Sequence, residues 1–233
     1  MKSILQAAAK SNVKRIVITS SFASVIDVNR KAPPFFTYTG EDWNPLTYAE
    51  AIAPETSAVV AYRGSKKFAE LEAWKFIVKE NPGFDIVALC PPMTFGPVVH
   101  PVTSAKELNE SNAGLWKIAC GAGPLPLARV PFWVDVRDLA EAHVEALLRP
   151  GASNKRFIPA APERFSYSLA AQIMLEEFPW AMDKVSAEPD QTIDNSHAVD
   201  GAAVTEALGV KYRAFKETVA DLISQISQME NHE

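Results

Sequence analysis

The chain has 233 residues and a mass of 25.5 kDa; hydrophobic residues make up 48% of it and charged residues 22%. This composition excludes a disordered chain and suffices for one sizeable α/β domain with a small addition. The net charge of −5 and the pI near 5.5 argue against nucleic acid or an anionic membrane as the main partner, because both need a concentrated basic face.

The first predicted elements are a helix and then a strand. Apolar residues at helical spacing predict a helix over 2–10, and "RIVITSS" (15–21) is typical of a buried strand rich in β-branched residues. The apolar stretch at the start is too short and too broken for a signal peptide or a membrane span. We therefore expect a cytoplasmic protein with no membrane partner.

The next predicted elements are a long surface loop, a helix and a second strand. Four prolines between 27 and 54 predict an irregular excursion, and helical periodicity resumes over 62–79 until "NPG" stops it. The apolar run "FDIVALC" (84–90) is the second strand. Apolar strands separated by helices predict a parallel sheet of Rossmann-like, doubly wound type, covered on both faces.

The C-terminal half predicts a mixture of short strands and helices. "PFWVDVRDLAEAHVEALL" (131–148) predicts an extended piece and then a helix that Asp138 caps. "KRFIPAA" (155–161) predicts a short strand. Helices are expected within 166–178 and within 204–227, with Tyr212 inside the latter.

Two cysteines, Cys90 and Cys120, lie in apolar or glycine-rich surroundings without a CxxC motif or nearby histidines. We expect buried free thiols and no metal site, which suits a reducing cytosol.

The chemically informative residues follow the two predicted strands. Ser21 stands at the end of the first strand, and Tyr62 and Lys66 share one face of the helix that follows. Ligands of doubly wound sheets bind at the carboxyl ends of the strands. A neighbouring ammonium favours the phenolate form, so the tyrosine could exchange a proton with a carbonyl oxygen that the serine holds. The three residues therefore predict carbonyl–alcohol redox chemistry.

Other polar and aromatic residues have simpler explanations. Tyr212 and Lys216 repeat the tyrosine–lysine spacing without a strand end beside them, so we assign them no chemistry. His143 is expected to pack on its helix. The aromatic residues expected in the core are Trp74, Phe76 and Trp116.

Five segments resemble, in the same order, the extended short-chain dehydrogenases/reductases. They are "RIVITSSFASV" (15–25), "EDWNPLTYAEA" (41–51), "AYRGSKKFAELEAW" (61–74), "CPPMTFGP" (90–97) and "WVDVRDLAEAHVEAL" (133–147). Within that family they are similar to NADPH-dependent methylglyoxal, aldehyde and ketone reductases and to dihydroflavonol reductases.

The resemblance implies a reductase of small carbonyl compounds that uses NADP(H). It implies that Ser21, Tyr62 and Lys66 form the catalytic triad and that the last two also bind cofactor. It places further cofactor contacts at Thr19, Pro91, Pro92 and Met93. It places an apolar substrate pocket at Phe22, Thr94, Phe132 and Trp133, although the last two fit equally well as a strand packing on the sheet.

One family motif is missing from the 233 residues. The family opens with a strand, a G-x-x-G-x-x-G turn and a helix that holds the pyrophosphate, whereas the close glycine pair Gly121 and Gly123 precedes "PLPL". We expect a chain that lacks about one hundred N-terminal residues of the family, at ~30 residues per strand–helix unit. The strand "RIVIT" would then be an open edge, and NADPH would bind weakly or not at all.

The expected organisation is a truncated Rossmann-like half over 1–98, which carries the triad, and a substrate lobe with closing elements over 99–233. Two alternatives to the reductase stay open. The chain could be a noncatalytic remnant or a module that forms a homodimer through the open sheet edge. It could also be an epimerase or dehydratase that uses the same triad.

Overall fold

A computed structural model of the chain describes residues 1–30, 35–186 and 191–230. The helices are α1 (Lys2–Ala8), α2 (Tyr48–Ile52), α3 (Ala58–Glu80), α4 (Glu110–Ala119), α5 (Val136–Leu148), α6 (Tyr167–Glu177), α7 (Ala202–Leu208) and α8 (Phe215–Glu230). The strands are β1 (Arg15–Thr19), β2 (Phe36–Tyr38), β3 (Asp85–Leu89), β4 (Met93–Phe95), β5 (Trp133–Asp135), β6 (Arg156–Phe157) and β7 (His197–Val199).

The chain folds into two compact units, each made of three segments. The first contains the described residues of Met1–Pro92, Ala140–Ala160 and Ser196–Val210, and the second contains those of Met93–Leu139, Ala161–Asn195 and Lys211–Glu233. The assignment of a cofactor half to 1–98 and a substrate lobe to 99–233 stays a prediction.

The first unit is built on a parallel sheet in the order β1-β3-β6, which confirms the predicted fold class. Arg15 pairs with Asp85 and Thr19 with Leu89, so β1 and β3 end level with each other. Helices α1 and α3 share a core with this sheet, through Leu5, Ile18, Ala73, Phe76, Phe84 and Ile86. Strands β2 and β7 form a second parallel pair in this unit.

Helix α3 is longer than the predicted 62–79. It begins after Ser57, whose hydroxyl accepts a hydrogen bond from the Val60 amide, and ends at Asn81, which adopts a left-handed conformation with φ 41°. Left-handed residues commonly end helices. The expected stop at "NPG" is therefore confirmed.

The second unit packs helices α4, α6 and α8 beside the parallel pair β4 and β5. Its core is rich in aromatic rings: the Phe95 and Phe165 ring centroids lie 5.0 Å apart, and those of Trp133 and Phe215 lie 4.9 Å apart.

Three local predictions were wrong. The irregular segment expected from 27 to 54 contains β2 and α2, and a capping box formed by Thr47 and Glu50 starts α2. Tyr212 lies between α7 and α8 rather than inside a helix. Asp138 lies within α5, and its carboxylate accepts a hydrogen bond from the Arg213 amide at 2.8 Å instead of capping the helix.

The two cysteines differ. Cys90 is buried as expected, whereas Cys120 is exposed because it follows the last residue of α4 at the surface. Within the described ranges, no helix is long and apolar enough to cross a membrane.

Candidate active site

Ser21 is held in place where β1 and β3 end. Beyond the strand ladder, the Ser20 amide donates to the Leu89 carbonyl at 2.8 Å and the Phe22 amide donates to the Pro91 carbonyl at 2.9 Å. The Ser21 hydroxyl oxygen accepts from the Ala23 amide at 3.1 Å, which starts a single 3-10 turn. A hydroxyl has one donor and two acceptor positions, so its proton stays available for another oxygen.

Tyr62 reaches this serine from the first half of α3, and Lys66 lies near Tyr62 on the same helix. The Tyr62 hydroxyl donates to the Ser21 oxygen at 3.5 Å, and the Lys66 Nζ lies 5.8 Å from the centre of the Tyr62 ring. Tyr62 is 50% exposed, so its phenol is accessible to a small molecule. The structure therefore brings together the three residues that the sequence singled out.

Gly64 fixes the rotation of the helix that carries Tyr62 and Lys66. A Cβ atom at position 64 would lie 2.3 Å from the Cβ of Ala51, so only glycine allows α2 to pack this closely. Residues two apart on a helix point to nearly opposite sides. The contact with α2 thus leaves Tyr62 facing away from it, toward Ser21.

Behind Ser21 lies a buried polar network that the sequence analysis missed. Glu70 is 1% exposed and pairs with Arg156, whose Nε lies 2.5 Å from the Glu70 Oε1. Cys90 adjoins this pair, and burial together with the Glu70 charge raises the pKa of its thiol to about 12. The sequence did hold one signal for this network. Glu70 lies three residues before Ala73 and six before Phe76, so its charged side chain falls on the buried face of α3.

The other predicted cofactor contacts fall in both units. Thr19 ends β1, and its hydroxyl lies 2.7 Å from the Nε2 of His143. Pro91 and Pro92 follow β3 in the first unit, whereas Met93 begins β4 in the second. Their contact with a cofactor stays a prediction.

The predicted pocket residues are mostly buried. Phe22 is 2% exposed and packs edge-on against Tyr38 in the first unit. In the second unit, Phe132 is 3% exposed, and Trp133 is fully buried and donates from its indole to the Glu163 carbonyl at 2.8 Å. Thr94 lies on β4. A substrate role for these residues stays a prediction.

No cluster of three or more histidine, cysteine, aspartate or glutamate side chains suited to a metal ion occurs among the described residues.

Comparisons with known proteins give a consistent set of relatives, although no protein-family model matches the chain. The chain is 35% identical over 226 residues to a ketoreductase of Aspergillus niger, covering 92% of this chain and 62% of that protein. It is 32% identical over 232 residues to the NADPH-dependent methylglyoxal reductase of Saccharomyces cerevisiae, covering 95% of this chain and 66% of that one. The chain thus spans slightly less than two thirds of these curated relatives.

Solved structures agree with these relatives. The crystal structure of yeast methylglyoxal/isovaleraldehyde reductase complexed with NADPH matches with a TM-score of 0.88 at 30% identity. The match covers all of this chain and 70% of the yeast protein. The corresponding reductase from Candida albicans, also solved with NADPH, matches with a TM-score of 0.85 at 29% identity over 98% of this chain and 69% of that one.

Proposed function

This chain belongs to the extended short-chain dehydrogenase/reductase family, and on that premise we propose that it carries the active site of an NADPH-dependent reductase of small aldehydes and ketones. One observation supports this above the others: the hydroxyls of Ser21 and Tyr62 lie 3.5 Å apart at the carboxyl ends of parallel strands. Two hydroxyl donors at that separation can share one carbonyl oxygen.

The residues of this chain would handle the oxygen and its proton. NADPH, when bound, would supply the hydride that the carbonyl carbon accepts. As the carbon–oxygen π bond opens toward oxygen, Tyr62 donates its proton to that oxygen and Ser21 stabilises the developing charge by hydrogen bonding. Lys66 stabilises the phenolate that remains. Because Tyr62 is half exposed, it can recover a proton from water.

The hydrogen-bond donors of this site fit the nicotinamide-ribose end of the cofactor. In the described part of the chain, the Lys66 ammonium has no carboxylate within salt-bridge distance, so it can donate to ribose hydroxyls. No G-x-x-G-x-x-G segment occurs in the 233 residues to bind the pyrophosphate. We therefore expect weak NADPH binding by this chain, without saturation in the micromolar range.

The test is NADPH oxidation by the purified chain with an α-dicarbonyl substrate, together with a fluorescence titration of NADPH up to millimolar concentration. We expect Tyr62→Phe to lower kcat by ~100-fold or more. The matched control is Tyr212→Phe, which alters the other tyrosine with a lysine four residues later and should leave kcat unchanged.

Four results would count against parts of this proposal. Equal turnover by the wild type and Tyr62→Phe, or no turnover at any NADPH concentration, would contradict the reductase and favour the noncatalytic alternative. Saturable micromolar NADPH binding would contradict the expected weak affinity alone. Activity on a nucleotide sugar instead of a dicarbonyl would favour the epimerase alternative.

We further propose that two copies of the chain associate through β1. Among the described strands, β1 pairs only with β3, so its other edge presents unpaired backbone groups. A cytoplasmic location also stays a proposal.

A further inference from the structure

We infer that the buried pair Glu70 and Arg156 positions the Ser21 hydroxyl against the Tyr62 phenol. This inference rests on the proposed reductase function, because it assigns the pair a role in the same site. Glu70 lies four residues beyond Lys66 on α3, so one helix carries the phenol, the ammonium and this carboxylate.

Glu70 binds the residues on both sides of Ser21. Its Oε2 accepts hydrogen bonds from the hydroxyl of Ser20 and, at 3.0 Å, from that of Ser24. The Ser24 hydroxyl also lies 2.8 Å from the Ser21 carbonyl oxygen, and its single proton can be donated either to that oxygen or to Glu70. The short segment that carries Ser21 is therefore fixed to α3 through a single carboxylate.

Arg156 holds that carboxylate in one orientation. Its guanidinium donates to the carbonyls of Gly40 at 2.6 Å and Asp42 at 2.7 Å, and it lies 3.6 Å from the centre of the Trp43 ring. The other carboxylate oxygen, Oε1, also accepts from the Trp74 indole at 3.1 Å. These contacts leave Glu70 little freedom to rotate.

Stability alone is a poor explanation for such a pair. Apolar residues of similar volume often stabilise a core as well as a buried ion pair does, because both charges must be desolvated. The geometry gives a better explanation. Arg156 lies on β6, and Glu70 binds Ser20 directly after β1, so the pair connects both strands to the helix that carries Tyr62. A shift of about 1 Å in a catalytic group can cost ~100-fold in rate.

The test is a double-mutant cycle with two readouts on the full chain. Glu70→Gln, Ser21→Ala and the double variant are compared with the wild type, and Glu72→Gln serves as the control for charge loss on the exposed face of α3. Ser20→Ala removes one hydroxyl that binds Glu70 and is the fallback if Glu70→Gln does not fold. The readouts are kcat and KM on a dicarbonyl, and the ¹³Cζ resonance of Tyr62, identified from its absence in Tyr62→Phe.

If the inference holds, Glu70→Gln shifts the Tyr62 resonance and lowers kcat ~10-fold or more without a matching change in KM, and it has no further effect once Ser21 is alanine. Ser20→Ala should produce a smaller change in the same direction. Independent, additive effects of Glu70→Gln and Ser21→Ala would overturn the inference, as would an unmoved Tyr62 resonance. The resonance is measured without cofactor or turnover, so an inactive wild type would contradict the proposed function and leave this test intact.

Discussion

At the residue scale, the surroundings of Tyr62 differ from those of the buried tyrosines. Tyr38 is 2% exposed, its hydroxyl donates to the Asp27 carbonyl at 3.0 Å, and burial raises its pKa. Burial also raises the pKa of Tyr167. Tyr62 is half exposed, and its hydroxyl adjoins Ser21. Tyr212 shares with Tyr62 a lysine four residues later, but it lies between α7 and α8, so the surroundings distinguish these two tyrosines where the spacing does not.

The two cysteine thiols should differ strongly in reactivity. The thiolate is the nucleophile, and burial raises the pKa of Cys90 to about 12; desolvation also raises the pKa of Cys120, but Cys120 is exposed to reagents. We expect a thiol-reactive dye to label one cysteine rapidly at about pH 8 in the native protein and the second only after unfolding. Cys120→Ser is the control and should abolish the rapid phase. Rapid labelling of Cys90 in that variant would contradict the buried position.

At the element scale, one ion pair ties together the starts of two strands and the end of a helix. Arg15 binds both carboxylate oxygens of Asp85, at 2.5 and 2.8 Å, across the first pair of the β1–β3 ladder. The same guanidinium donates to the carbonyls of Ala146 and Arg149, where α5 ends. Removing the carboxylate should therefore loosen all three elements.

Asp85→Asn should lower the free energy of unfolding by about 1 to 3 kcal/mol at about pH 7. The Arg15 hydrogen bond holds the pKa of Asp85 below its ordinary value, so this stabilisation is present above the unfolded-state pKa and is lost as pH falls through the folded-state pKa. Urea unfolding at several pH values checks this. The difference from the wild type should shrink below about pH 4, and a difference that grew there would contradict the assignment. Glu80→Gln is the control, with no measurable change expected.

At the scale of the whole molecule, the open side of β1 is the main feature without a described partner strand. Arg15, Ile16 and Val17 are only partly buried, although β1 is rich in β-branched residues. An unpaired edge of this kind is a template on which another strand can pair.

If two copies pair through β1, the molar mass measured by light scattering should rise from the monomer value toward twice that value with concentration. Val17→Lys places a charge on this strand and should keep the chain monomeric. The control is Val78→Lys, on an exposed position of α3, which should leave the association unchanged. A monomer at every concentration would contradict the proposed dimer.

The sequence by itself determined the main helices and strands, the parallel sheet and the choice of Ser21, Tyr62 and Lys66. Periodicity, turn residues and strand-end positions are local signals, so they can be recognised without the fold. Local signals were wrong where a distant contact prevailed, as at Asp138, whose carboxylate binds Arg213.

Only the tertiary structure decided what lies behind and beside those three residues. Glu70 and Arg156 are 86 positions apart, and nothing in either segment shows that they pair. The close packing of α2 on Gly64 likewise depends on how two helices meet. Burial and pairing between distant segments arise only when the chain folds, because the desolvation of a side chain depends on everything that packs around it.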